Sequence, residues 1–400
     1  MLCFGRILCL STLLANICLG GPKQQSFHLY QLKPGGTGAA ALSPDGSRVA
    51  AKDIERVGGE SSGKWFDVLQ IWDFRSGKLL FERKVNFWDV SSGDRRLIVQ
   101  SGFPRSLAYT PDGRQLVYCD GTAVKIFDTS EYREIRAFPV TPATPEGPLW
   151  EVHRMSVSHD GSEVAVAESE LDTKFWTTSG ILVSVYSLTS GALEHTWKFE
   201  TALSSSALGL AWSPNGKKLA LTLIPNDGVA NGPQVSRDSF PDLRVATLGL
   251  ETDIMEINTG HSAGDVAFVG DDAVVAVSGT AAFGSGRKDS LRLWDMQKGK
   301  LVREIPSPPD GAHYHLQVSQ DGKVVLGYIG KDHRNENFVD TAEQRFRLWD
   351  TSSWNVVFTS PPIRDPLDAR DIRFALSPTG NLILVWWQNV KGPIYVYERQ

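Results

Sequence analysis

Seven times this chain repeats one short phrase: a hydrophobic run, a tight turn close to Ser-Pro-Asp-Gly, and a second hydrophobic run. The turns are Ser43-Pro44-Asp45-Gly46, Thr110-Pro111-Asp112-Gly113, Ser158-His159-Asp160-Gly161, Ser213-Pro214-Asn215-Gly216, Gly270-Asp271-Asp272, Ser319-Gln320-Asp321-Gly322 and Ser377-Pro378-Thr379-Gly380. Proline presets φ at the first turn position, Asp or Asn tolerates the next, and glycine takes the positive φ that closes the hairpin. The runs on either side are rich in β-branched and aromatic residues, as buried strands require.

A third apolar–polar alternating run follows in most copies. It reads Leu69-Gln70-Ile71-Trp72-Asp73, Val124 to Asp128, Val183 to Ser187, Leu291-Arg292-Leu293-Trp294-Asp295, Phe346-Arg347-Leu348-Trp349-Asp350 and Ile394 to Glu398. The fourth copy has no Trp-Asp, and its third strand is placed at Leu243 to Leu250. A turn such as Ser76-Gly77 or Lys298-Gly299 then leads to a fourth strand, for example Leu301-Val302-Arg303. Four antiparallel strands repeated around an axis make a β-propeller. The expected fold is therefore all-β: seven four-stranded antiparallel blades, forming one domain over 27–400.

On these residues the chain resembles the WD40-repeat family over essentially its whole length after residue 27. The fifth copy matches best, with Gly260-His261 ahead of Asp265-Val266-Ala267-Phe268 and Trp294-Asp295 closing its third strand. The repeats average about 56 residues, longer than the ~40–45 usual for that family. Only one copy has Gly-His, so the family's His–Ser–Asp–Trp hydrogen-bond cluster is not general here. What the resemblance implies is a binding scaffold, an inference from fold alone.

The last copy stops on a third strand. Phe27 to Leu32, ahead of the first repeat, reads as the strand that completes it and removes an open edge. One stretch fits the count less well. Val85 to Gln100, with Trp88-Asp89 and Ser92-Gly93, reads as an extra hairpin, inserted between blades one and two or belonging to an eighth blade. Insertion is the preferred reading.

Residues 1–20 carry one charge, Arg6, and an apolar run from Ile7 to Gly20. This is the pattern of a secretory signal peptide, and export to the periplasm, cell envelope or outside is expected. Fourteen residues are short for a bilayer span. Asn16-Ile17 before Cys18 match a lipidation site poorly. Cys3, Cys9 and Cys18 all lie in this leader, which leaves Cys119 alone in the propeller, as a packed strand residue without a disulfide.

The net charge of −5, with no basic cluster, argues against nucleic acid as a partner. There is no Gly-x-Ser-x-Gly elbow, Gly-rich phosphate loop, His-Glu-x-x-His or Cys-x-x-Cys, so no cofactor is expected. No oligomerisation signal is visible, and the protein is expected to be a monomer.

Function is placed by loop length. In an up-and-down blade, the first-to-second and third-to-fourth turns share one face of the disc. Here they are uniformly tight. The other connections are long: Asp53 to Lys64, Glu168 to Gly180, Leu223 to Asp242, Gly279 to Asp289, Gly330 to Gln344 and several blade-to-blade links. Loops on a rigid scaffold are where binding residues concentrate. Candidate anchors on that face are Phe175 and Trp176, Arg334 and Phe338 (with His333 beside them), and Trp387. Inner strands begin on the same face with polar residues: Glu151, His153 and Arg154; His313 and His315; Arg370, Asp371 and Arg373.

Three readings follow. The preferred one is a non-enzymatic platform for a protein or peptide on the long-loop face. The second is a propeller hydrolase or lactonase with a metal at the channel mouth, held by His153, His313, His315 and Asp371. The third is a carbohydrate or small-ligand binder that stacks its ligand on Trp176 and Trp387.

Overall fold

The computed structural model describes residues 26–34, 36–58, 63–89, 91, 106–140, 149–172, 177–200, 205–225, 242–250, 253–259, 263–278, 290–306, 311–331, 345–363, 372–387 and 390–400. Within them the chain forms seven four-stranded antiparallel sheets, and no helix is present. No helix of the described residues is long and apolar enough to cross a membrane.

From the axis outward, blade one comprises Ala39–Leu42, Arg48–Arg56, Lys64–Asp73 and Lys78–Asp89; blade two Leu107–Tyr109, Gln115–Cys119, Ala123–Asp128 and Glu134–Pro139. Blade three comprises Leu149–Val157, Glu163–Asp172, Thr177–Ser187 and Leu193–Glu200; blade four Ser205–Trp212, Lys218–Pro225, Leu243–Thr247 and Ile254–Ile257. Blade five comprises Ala263–Phe268, Ala273–Ser278, Ser290–Asp295 and Lys300–Pro306; blade six Gly311–Val318, Val324–Lys331, Arg345–Asp350 and Val356–Thr359. Blade seven takes Ile372–Leu376, Leu382–Trp387 and Ile394–Arg399 from the chain end and Phe27–Leu32 from its beginning.

That last pairing runs in register from Phe27 opposite Arg399 to Leu32 opposite Ile394. It closes the ring as the sequence predicts. A second tie joins Gly36–Thr37 to Val390–Lys391. Arg75 of blade one reaches Glu398 at 2.6 Å, and Tyr30 donates to the same carboxylate.

The repeated turn has a physical basis. In six blades the hydroxyl of its first residue accepts the backbone N–H five residues on, at 2.9–3.0 Å. Blade five, which has Val269 and Gly270 there, lacks that bond. The closing glycines of six turns have φ between 65° and 74°, a region L side chains avoid; in blade five the positive-φ glycine, Gly270, comes early in the turn instead. The Asp that ends a third strand caps the next turn: Asp73, Asp128, Asp295 and Asp350 each accept the N–H three residues on.

Seven hydrophobic clusters fill the ring, one between each pair of adjacent blades. The cluster that joins blade seven to blade one uses Leu32, Trp386 and Ile394 beside Ala40, Val49 and Phe74. Leu32, from the closing strand, is thus a core residue of the joint.

The expected hairpin over 85–100 takes another form in its described part. Val85 to Asp89 continue the outer strand of blade one, where Asn86 to Asp89 pair with Lys64 to Asp67 and Val85 lies at a register shift. The reason is hydrogen bonding within blade one and to blade two. Trp88 Nε1 donates to Asp67 at 2.7 Å, and Tyr118 OH donates to the same carboxylate oxygen. Lys52 lies 2.9 Å from Asp67. Asn86 meets Asp120 and Lys125 of blade two at 2.8 Å each. The rest of that stretch, from Ser92 on, lies outside the described residues.

Leu32→Ala is expected to cost about 2–5 kcal/mol, the range for a buried Leu truncated in a tight core, because the side chain is 1 % exposed. Urea unfolding measures it. A loss below about 0.5 kcal/mol, the size of a surface substitution, would show that the N-terminal strand does not close the ring.

Candidate functional site

The two faces of the disc differ in how the chain crosses them. On the turn face every connection is short, the longest being 248–253. The opposite face carries 90–106, 226–242, 279–289, 332–344 and 360–371. In blades one and three that face is also raised by hairpins longer than the sequence suggests. Pairing continues to Arg56 opposite Trp65 and to Asp172 opposite Thr177. The blade-three loop read as 168–180 is thus reduced to the tip 173–176.

A set of equivalent positions lines the channel. Three residues before the last residue of each inner strand stand Ala39, Ser106, Arg154, Gly209, Asp265, His315 and Arg373, in blade order. Four of these strands carry a register slip beside that position. The slips fall between Val152 and Arg154, Ala207 and Gly209, Ala263 and Val266, and His313 and Leu316. Blades one, two and seven pair without a slip. An extra residue in a strand bends it and re-aims its side chains, a device common beside binding sites. Blades three to six therefore differ from the rest at one level of the channel.

The charged members of the ring form one network. His315 Nδ1 lies 2.8 Å from Asp265 Oδ2, and Arg373 Nη1 lies 3.2 Å from His315 Nε2. A guanidinium only donates, so Nε2 must accept and the proton sits on Nδ1, directed at the carboxylate. His315 is thereby a neutral, oriented imidazole. Burial pushes its pKa down, the Asp265 carboxylate opposes this, and the two arginines add to the lowering. For Asp265, burial pushes upward, but His315, Arg154 and Arg373 outweigh it and hold the carboxyl below its ordinary range. Arg154 and Arg373 also donate to the backbone carbonyls of His153 and Ile372. His153 is held down to about 4, by burial first and by Arg154 second.

Two cavities meet at this ring. One, of about 470 Å³, is lined from six of the seven blades, among others by Ala39, Ser106, Arg154, Asp265, His315 and Arg373. The other, of about 350 Å³, lies along blades three to six. Each is of the size that takes a small ligand.

The candidate residues divide three ways. His153 and His315 line the channel cavity, and both nitrogens of His315 already have partners. His313 belongs to the inner strand of blade six, but its side chain lies outside the described residues, as do Phe175, Trp176, Arg334, Phe338 and Asp371 altogether. Trp387 is corrected. It is 4 % exposed, and its ring packs edge-on to Tyr395 in the cluster between blades six and seven, so it offers no face to a ligand. The strand stays fully buried through its final residue. Among the described residues no three His, Cys, Asp or Glu stand close enough to hold a metal ion.

Asp265 and Gly209 were not singled out by the sequence. Counting back a constant number of residues from each turn would have aligned them with Arg154 and Arg373. Also missed was a cluster on the projecting end of blade one. Phe87 is 52 % exposed and its ring lies 4.9 Å from that of Phe66. Lys84 sits over Phe66, and Arg56 covers Trp65 at 4.9 Å. No protein-family model matches the chain, and no curated protein does either.

The depressed His153 makes stability depend on pH. Above about 6.5 the imidazole is neutral in both the folded and the unfolded chain. As pH falls toward about 4 the unfolded chain takes the proton first, so stability is lost across that window. His153→Gln is expected to remove up to about 3 kcal/mol of that acid-side loss, measured as urea-unfolding free energy at pH 7 and pH 4. An unchanged difference between the two pH values would contradict it.

Proposed function

We propose that the protein is a non-enzymatic binding platform of WD40-like type, whose long-loop face takes a protein or peptide partner. The observation that carries this reading is the asymmetry of the disc: short, hydroxyl-capped turns on one face, long connections and raised hairpins on the other. Neutral drift in loop length costs little and acts on both faces alike. Loops held by a rigid scaffold are the usual seat of recognition. The Phe66–Phe87 pair with Lys84, and Arg56 over Trp65, supplies the aromatic and arginine character of interface hot spots. The leader-like pattern of 1–20 supports export, so the partner is sought in the cell envelope or outside the cell.

The metal-hydrolase reading is the weaker of the two at this mouth. His315 Nδ1 serves Asp265 and Nε2 serves Arg373, so neither nitrogen is offered to a metal without breaking that network.

The test is crosslinking capture from the source envelope fraction with three proteins: the native chain, Trp65→Ala/Phe87→Ala, and the turn-face control Arg114→Ala. Once the captured partner is identified, its affinity is expected to fall by about 30-fold in the double variant, the effect of about 2 kcal/mol at a hot spot. Arg114→Ala, altering a side chain 86 % exposed on the other face, is expected to bind as the native chain does. Equal binding by all three would place the partner elsewhere.

A further inference from the structure

We propose that the larger channel cavity binds a small neutral molecule rich in hydroxyl groups, a sugar or polyol, with one hydroxyl donating to Asp265 Oδ1. The inference goes beyond the platform reading and stands without it, since it uses the channel and none of the loop face.

It begins with one carboxylate oxygen. Asp265 Oδ2 accepts from His315 Nδ1 at 2.8 Å and faces the backbone N–H of Leu316 at 3.4 Å. Oδ1 meets no hydrogen-bond donor among the described residues, and it is not one of the polar atoms sealed away from solvent. The side chain keeps 23 % of its surface, and it lines both channel cavities. Polar groups at such depth are ordinarily satisfied, and an ionised carboxylate makes the stronger kind of hydrogen bond. An open carboxylate oxygen beside a cavity of about 470 Å³ therefore marks a place for a donor.

Two neutral groups line the same cavity. Ser106 holds the equivalent ring position in blade two, on the opposite side of the channel from Asp265, and Gln320 belongs to the turn of blade six. Neither side chain has a hydrogen-bond partner among the described residues. A hydroxyl and an amide each donate and accept, as the hydroxyls of a sugar do. Leu42, Phe374 and Trp386 add apolar surface, against which the C–H face of a sugar ring packs. A few placed polar groups on a partly apolar wall are the pattern of a small-molecule site.

Charge selects the class of ligand. Arg154 and Arg373 help to keep Asp265 ionised, and Asp265 opposes the lowering that burial imposes on Arg154. The network thus already contains both signs. An anion would lie beside Asp265 and a cation beside two guanidinium groups, in a confined space where like charges repel strongly. A hydroxyl brings a donor without a charge. His315 does not compete for it, because its Nε2 accepts from Arg373.

The test is calorimetric titration of the full chain with four neutral probes, glucose, galactose, sorbitol and myo-inositol. N-methylglucamine and gluconate serve as the cationic and anionic counterparts of sorbitol. Saturable binding of at least one neutral probe is expected, about tenfold or more tighter than either charged one. Asp265→Asn exchanges the charged acceptor for a neutral one and is expected to weaken that probe by about tenfold, the size of one lost charge-assisted hydrogen bond. Asp265 also orients His315, so a second variant leaves the network untouched. Ser106→Leu places a larger apolar side chain in the cavity and is expected to abolish binding. Should Asp265→Asn fail to fold, Ser106→Leu and the charged probes decide. The proposal is overturned if none of the four neutral probes binds saturably. It is also overturned if a charged probe binds as tightly as the neutral ones, or if either variant, once folded, binds as the native chain does.

Discussion

Six backbone pairings between Phe27–Leu32 and Ile394–Arg399 carry the geometry of the whole molecule. Without them blade seven would end on an open strand edge, and unpaired edges invite association with other chains. The joint is not a hydrogen-bond seam alone. Leu32 is buried in the cluster between blades seven and one, and Arg75 and Tyr30 converge on Glu398. A ring closed in this way holds its inner strands at a fixed distance from the axis. The channel, and every residue that faces it, inherits that spacing.

Within the fixed ring, regularity and deviation serve different ends. The hydroxyl of the repeated turn, the closing glycine and the Asp cap satisfy backbone groups locally, so the turn face needs nothing else. The inner strands are where the repeats depart from one another. Extra residues in blades three to six sit beside Arg154, Gly209, Asp265 and His315, and the three ionisable side chains among these join Arg373 of blade seven in one network. Buried polar groups are costly unless paired, and the ring meets that cost with a chain of contacts from Asp265 through His315 to Arg373. His315 acts in that chain as an oriented neutral group, which is the physical reason it serves poorly as a metal ligand.

Much of this was legible beforehand. The turns, the alternating third strands and the stray strand at Phe27 are local patterns, and each repeats often enough to correct for a weak copy. The fourth blade was placed at Leu243 despite its missing Trp-Asp. What could not be read were features that depend on a partner strand. A register slip leaves no mark in alternation, so Asp265 looked like one polar residue among several. Trp88-Asp89 read as part of an extra hairpin, although Trp88 is held in an outer strand by Asp67 of the neighbouring strand. Trp387 sits at a strand end, where exposure is the natural expectation, yet the neighbouring blade covers it. The pairs Phe66–Phe87 and Arg56–Trp65 come from strands whose cross-strand register cannot be seen in one dimension.

Native-state hydrogen exchange, read peptide by peptide, tests the central claim that strand closure holds the ring. The account predicts that the amides of 27–32 and 394–399 exchange as slowly as those of the inner and second strands and are released in the same cooperative opening. Exchange in 27–32 that is orders of magnitude faster, with the other six blades still protected, would contradict it.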